Sequence, residues 1–405
     1  MKKNMKYDRK GFVLVLSLLT TTILLALVMP YVSRVVTDYG LTSRIYNLNS
    51  ALNMAEAGIE RKIFEIAYNS NSFNIPISSF QSSNEDNMGE YEVTVTLLPD
   101  ASNPSSAIIT SYGYVPNKSS YKVKKTVMVT YSFRRAFGKG VAGMTGISMS
   151  GQADINSYDS SKGEYNELLA DGTRNIGQEG DIASNGPITI TGQSMVYGSA
   201  NPGDGYPFSG TPNVTGTYGT LQAPLTVDLI PDTVMTDALD NNANSTVHTH
   251  VIIDGVDTEV PYPLTNNALS VPSGEVCLSG GTYYFTSVNI NGELSVEGPS
   301  SIYVVGDINI AGQGVVNTGT TPSDFLLYST GSIITIAGQG AFYGAIYAPT
   351  ATVTYSGQAD FYGSIVCGFN ADKGQAALHY DKALANVMPS FVVNKVTSWQ
   401  EIIEP

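Results

Sequence analysis

Cysteine, histidine and basic side chains are scarce in this 405-residue chain, and each shortage excludes something. Two cysteines, Cys277 and Cys367, cannot make a disulfide framework; they leave one bridge or two buried thiols as the choices. Three histidines leave little for a metal centre. Arg174 is the only arginine after residue 135, and residues 141–405 hold 25 Asp/Glu against 5 Lys/Arg. So acidic a surface repels phosphate backbones, and no nucleic-acid partner is expected. Charged residues make up 14% of the chain, and residues 12–33 carry none. What is abundant is glycine (40) and tyrosine (25), a composition suited to turn-rich β-structure in two or three domains.

The amino terminus reads MKKNMKYDRKG and then FVLVLSLLTTTILLALVMPYVS. Twenty-two helical residues reach about 33 Å, enough to cross a bilayer core, with the basic cluster held in the cytoplasm. A secretory signal peptide is the plainer alternative, but the apolar run is long and no A-x-A-like site follows it. Pro30 removes one helix hydrogen bond and is expected to bend the helix. Beyond it, Leu41, Ile45, Leu48, Leu52, Ala55, Ile59, Ile63 and Ile66 recur at helical spacing and define one apolar stripe.

A basic leader, Gly11 and then Phe12 opening the apolar run resemble the class III leader of type IV pilins. NMAEAGIERKIFEI (53–66) resembles the AEAGIE-like stretch of PilX-type minor pilins and related pseudopilins. The resemblance implies cleavage between Gly11 and Phe12 by a prepilin peptidase, N-methylation of Phe12, and partners among other pilins, pilus assembly proteins and the cytoplasmic membrane. Most pilins have Glu at the fifth mature position, where this chain has Leu16. Its absence is typical of low-copy minor subunits, including tip subunits, and argues against a major pilin.

Residues 89–98, 107–115 and 121–133 alternate apolar and polar side chains, as three antiparallel strands with one face for the helix to cover. Farther on, ITIAGQGAFYG (334–344) is repeated as VTYSGQADFYG (353–363), and looser copies surround Gly192-Gln193 and Gly312-Gln313. A period near 20 fits one coil of a β-solenoid, with Gly338 and Gly357 at corners and Gln193, Gln313, Gln339 and Gln358 stacked as an amide ladder. A Gly-rich antiparallel sandwich is the alternative. GGTYYF (280–285), SIYVVGDINIAGQG (301–314), FYGAIYAPTATV (342–353) and ALHYDKAL (377–384) resemble the β-helical domain behind the stem of some bacterial minor pilins.

The expected fold is therefore an α+β pilin-like stem, with a long N-terminal helix and a small antiparallel sheet, followed by an all-β right-handed β-helix or solenoid. Its parts are a leader (1–11), the helix (12–68), the sheet (69–137), the solenoid (138–385) with a projecting insertion (199–275), and a tail (386–405). His248 and His250 share a strand face and could supply two metal ligands, with Asp254 and Asp257 able to help; for want of a Cys, and with only His379 as a further histidine, they are read as exposed strand histidines. DGVDTE (254–259) and ADGTRN (170–175) hint at calcium without EF-hand spacing. Asp154 and Asp360 are placed in distant coils, too far apart to act as a carboxylate pair. No G-x-S-x-G or H-E-x-x-H occurs. No metal, cofactor or catalytic residue is expected, and the chain is read as no enzyme.

The expected role is a minor pilin-like subunit at a filament tip or in assembly priming. It would begin as a single-pass membrane protein and end outside the cell, where the tyrosine-rich body adheres to a glycan or other surface ligand. A membrane-anchored assembly scaffold and a surface enzyme acting on polysaccharide are the alternatives.

Overall fold

The structure is a computed structural model that describes residues 9–68, 79–80, 89–98, 106–132, 135–206, 208–209, 213–317, 319–358, 360–392 and 395–402. The chain divides into two compact units, residues 1–133 with 394–405, and residues 134–393.

The first unit is built on helix α1 (Arg9–Tyr68), continuous through Pro30. Residues 13–46 of α1 are exposed along their whole length. From Ala51 onward α1 covers an antiparallel sheet whose strands run Ser79–Phe80, Glu90–Leu98, Ser106–Val115, Val123–Ser132 and Lys395–Ile402 in spatial order. Alternation along the strands puts Tyr91, Val93, Ala107, Ile109, Val127, Val129 and Tyr131 into a core with Ala55 and Ile59. The last strand, in a segment that the sequence presents as a tail, pairs antiparallel with Val123–Ser132, from Lys395 opposite Ser132 to Ile402 opposite Thr126.

The second unit is β-rich and its strands pair mainly in parallel. Phe342 lies opposite Phe361 and Tyr343 opposite Tyr362, so the two copies of the 19-residue repeat stack in register. One inward column runs Tyr283, Ile302, Leu327, Ile346, Ile365, Val141, Ile182 and Ala200. All eight are buried. Like aliphatic groups stacked between strands remove apolar area from water at each level, about 25 cal/mol per Å².

That column is out of chain order. Val141–Gly151 pairs with Phe361–Gly374 on one side and with Ile182–Ser184 and Ile188–Ile190 on the other. The chain thus enters in the middle of the stack, builds outward through residue 218, crosses to the far end, and winds back until residues 361–381 meet the first coil.

The segment 199–275, whose period is broken, is divided among several parts of the second unit, and it includes an exposed antiparallel hairpin, His248–Ile253 with Val256–Pro261. Its first part adds a level to the stack, with Ala200 opposite Ile182 and Phe208 opposite Ile188. Residues 225–244 form a strap containing helix α2 (Asp232–Asp240), and Ala268–Val271 returns to the stack by pairing in parallel with Ser287–Ile290. Ile230, Met235 and Ala238 pack over a column formed by Tyr284, Tyr303, Tyr328 and Tyr347. An asparagine pins each end of the strap. Asn185 donates to Leu225 O at 2.9 Å and accepts from Leu225 N at 2.6 Å; Asn244 donates to Tyr284 O at 2.7 Å and accepts from Tyr284 N at 3.1 Å. The four tyrosines of the column are buried and so are not part of an exposed tyrosine-rich surface.

Candidate functional site

Gly11 and Phe12 lie in α1, while leader residues 1–8 fall outside the described residues. Leu16 is about half exposed (49%) in a stretch with no ionised side chain. The polar residues there satisfy themselves. Ser17 Oγ donates to Leu14 O at 2.9 Å, and Thr20 and Thr22 bond to carbonyls three and four residues back. A helix that closes its hydroxyls onto its own backbone is suited to hydrocarbon, where water cannot. By length and composition α1 is able to cross a membrane.

The AEAGIE stretch acquires a packing explanation. Ala55, Gly58 and Ile59 face the sheet, whereas Glu60 is exposed. A methyl at Gly58 would come to 2.8 Å of Tyr91 Cδ2, and one at Gly113 to 2.7 Å of the Ala55 nitrogen. Small residues on both sides let helix and sheet backbones approach closely. Of the predicted stripe, Ala55 and Ile59 are buried with Leu52 and Ile63 packed beside them, Ala51 joins them, and Leu41 and Ile45, ahead of the stretch that covers the sheet, are exposed.

The Gly-Gln dipeptides stack at one corner of the second unit. Gln313 N donates to Gly292 O at 3.1 Å, Gln339 N to Gly312 O at 2.7 Å, Gln152 N to Gly374 O at 2.9 Å, and Gln193 N to Gly151 O at 2.7 Å. Gly357 lies opposite Gly374, and a methyl on Gly357 would stand 2.6 Å from Gly338 O. Gly192, Gly312 and Gly357 have φ of +79°, +68° and +131°, which only glycine adopts without strain. Gln193, Gln313, Gln339 and Gln358 are exposed, and Gln152 Nε2 donates to Gln193 Oε1 at 3.0 Å. The same column continues through Gly374-Gln375, Gly292-Glu293 and Gly274-Glu275. The sequence shows the Gly292 corner as a weaker copy of the repeat, VNINGELSVEG (288–298), but not those at Gly274 and Gly374; a Gly followed by Glu or Gln after each short strand was the signal.

Asp154 and Asp360 are not in distant coils, because the stack is out of chain order. His379 lies between Tyr362 and Asn156 in neighbouring strands, and its Nε2 is 3.4 Å from Asp360 Oδ2. Its Nδ1 is 2.7 Å from Asn156 Oδ1, and the Tyr165 ring stacks on it with centroids 3.8 Å apart. Burial raises the Asp154 carboxyl above its usual range; His379 and the Ala377 N–H hold Asp360 below it, against the effect of its own burial. Tyr165 covers His379, whose exposure is 3%. Beside this cluster lies a cavity of about 230 Å³ whose lining includes Lys162, Arg174 and Lys382.

The calcium hints are turns. Asp254 and Gly255, at φ +52° and +79°, make a two-residue hairpin turn, and Asp171 Oδ1 accepts from Thr173 N and Oγ1. The histidine pair is different. His248 and His250 share a face, as expected, but Cys277 and Glu297 stand beside them, with one donor atom from each of the four within 4.8 Å of the others. His248 is buried. Cys277 and Cys367 are both free and buried. Burial, with Glu275 and Glu297 close by, pushes the Cys277 thiol up to about 12.

Residues 286–387 match the model of a family described as a domain of unknown function, DUF7305. No curated protein matches the chain. Among solved structures, the competence-associated pilin ComZ from Thermus thermophilus is 10% identical, over 88% of this chain and 97% of that one, with a TM-score of 0.34. An ice-binding protein from the Antarctic ascomycete Antarctomyces psychrotrophicus is 12% identical over 61% of this chain and 96% of its own, with a TM-score of 0.30. The DUF3494 domain of ice-binding protein 1 from Shewanella frigidimarina is 14% identical over 61% and 95%, with a TM-score of 0.21.

Proposed function

We propose that the chain is a minor pilin-like subunit of a type IV pilus or related filament. The observation that carries this reading is α1: an exposed, uncharged segment runs without interruption into a stretch that packs on an antiparallel sheet through Ala51, Ala55, Gly58 and Ile59. A free apolar half and a docked half on one helix suit a spine that sits first in a bilayer and then among other spines. Cleavage between Gly11 and Phe12 releases that spine for assembly, and Phe12 becomes the methylated terminus. With Leu16 in place of a carboxylate, the subunit carries no buried charge to pair with a neighbour's amine, which suits a tip or priming position.

The second unit, read as a right-handed β-solenoid, remains outside the cell as a non-enzymatic body that contacts a surface glycan. The cavity lined by Lys162, Arg174 and Lys382 together with Asp159 and Asp171 mixes both signs of charge, with Lys162 paired to Asp159 at 3.2 Å and Lys382 to Glu179 at 3.2 Å, and is the favoured contact point for a polar sugar. Shearing filaments from cells and probing the sheared fraction for this chain is the test. Its presence at low copy supports the subunit, and its retention in the membrane fraction alone favours an assembly scaffold.

A further inference from the structure

We propose that His248, His250, Cys277 and Glu297 bind one zinc-class divalent metal ion, which clips a terminal hairpin onto the stack of parallel strands. The proposal is independent of the pilin reading.

The ligands converge because of how the strands pair. His248–Ile253 and Val256–Pro261 form an antiparallel hairpin. It joins the parallel column through a single aligned pair, His248 opposite Cys277. In the strand Glu275–Leu278, Val276 and Leu278 point into the core, so Cys277 points outward, beneath the hairpin. Glu297 comes directly after the next strand, Glu293–Val296, and its N–H donates to Leu278 O at 2.9 Å. Residues from three adjacent strands thus meet on one outer face.

The two imidazoles are set up alike. His248 Nδ1 is 3.0 Å from Thr246 O, and His250 Nδ1 is 3.2 Å from Asp257 Oδ1. A carbonyl or carboxylate at Nδ1 fixes the proton there and leaves the Nε2 lone pair free. Both Nε2 atoms aim at Glu297, at 3.5 Å each, one toward each carboxylate oxygen. The His248 side chain is 7% exposed, and its Nε2 makes no hydrogen bond among the described residues. A buried nitrogen that faces a carboxylate oxygen at 3.5 Å without a hydrogen bond is poorly satisfied, and a metal ion shared by the two would satisfy both.

Donor chemistry selects the ion. One thiolate, two imidazoles and one carboxylate suit zinc at tetrahedral geometry, whereas calcium and magnesium require oxygen shells. Ligand bonds of about 2.0–2.3 Å in a tetrahedron put donor atoms about 3.5 Å apart. Donor atoms within 4.8 Å reach that spacing by small side-chain rotations. The end of a stack is where a clip is most useful, because a terminal level has a neighbour on one side only.

The full chain in detergent, stripped with a chelator, is titrated with Zn²⁺ and separately with Co²⁺. One equivalent of zinc should bind and raise the unfolding temperature, while Ca²⁺ and Mg²⁺ should not. Cobalt should show a thiolate charge-transfer band and the visible bands of a tetrahedral ion, and Cys277→Ser should remove the first. Asp257→Asn, on the exposed hairpin, should keep the fold and weaken binding by about 10–100-fold. Failure to bind zinc would overturn the proposal, as would zinc binding that His248→Ala, Cys277→Ser and Asp257→Asn all leave unchanged.

Discussion

Thr145 Oγ1 donates a hydrogen bond to the Gly368 carbonyl at 2.9 Å, although 223 residues separate them in the chain. The contact fastens the first coil synthesised to one of the last. Until residues 361–374 arrive, Val141–Gly151 lacks one of its two strand neighbours. Ending the chain after residue 358 should therefore abolish protease resistance in 141–198, a segment that the truncation leaves intact. Limited proteolysis with mass mapping checks this. Persistent protection of 141–198 in the truncated chain would show that the first coils stand alone. A fold so dominated by distant pairings should also refold slowly.

Close approach in the first unit gives a second expectation. Gly113→Val places a branched side chain against the Ala51 and Ala55 backbone of α1. The helix must lift from the sheet, at a cost of about 1–3 kcal/mol. Thermal unfolding of the solubilised chain reads the loss.

The repeat separates two roles. At Gly192, φ is +79° and a methyl would stand 2.5 Å from Gly151 O, so Gly192→Val should destabilise the chain by about 1–3 kcal/mol. Gln193→Ala, beside it and exposed, removes one hydrogen bond and should cost about 1 kcal/mol or less. Parallel melting curves of the two variants test the contrast.

Two inward columns are interrupted by polar side chains in a single level. Asn370 stands between Val353 and Ile147, and Asp372 between Tyr355 and Met149. Burial raises the Asp372 carboxyl to about 7, and its Oδ1 makes no hydrogen bond among the described residues. The folded chain then holds a proton between roughly pH 4 and 7 that the unfolded chain has released. Stability from this group is full at low pH and is lost as pH rises through 7, a change on the order of a few kcal/mol. Asp372→Asn should flatten that dependence and raise the unfolding temperature at pH 8, read as the difference from wild type across pH.

Much of this was legible in the sequence. The apolar run, the AEAGIE stretch and the alternating strands each carry a period that local sterics impose, and Gly338-Gln339 recurring at Gly357-Gln358 carries the level spacing. The order of the levels was not legible, because nothing local marks that Val141 will lie beside Ile365. The strap was hidden for the same reason: the sequence period breaks at residue 199, but only the asparagine clamps and the tyrosine column show where the chain goes. Cys277 joins His248 through an antiparallel pair inside a mainly parallel body, which no spacing rule anticipates.

The central claim is that α1 is a processed spine, and the mass of the mature amino terminus tests it most directly. The account predicts a terminal peptide that begins at Phe12 and carries one added methyl group. A chain that retains Met1, or one cut well beyond residue 30, would contradict it.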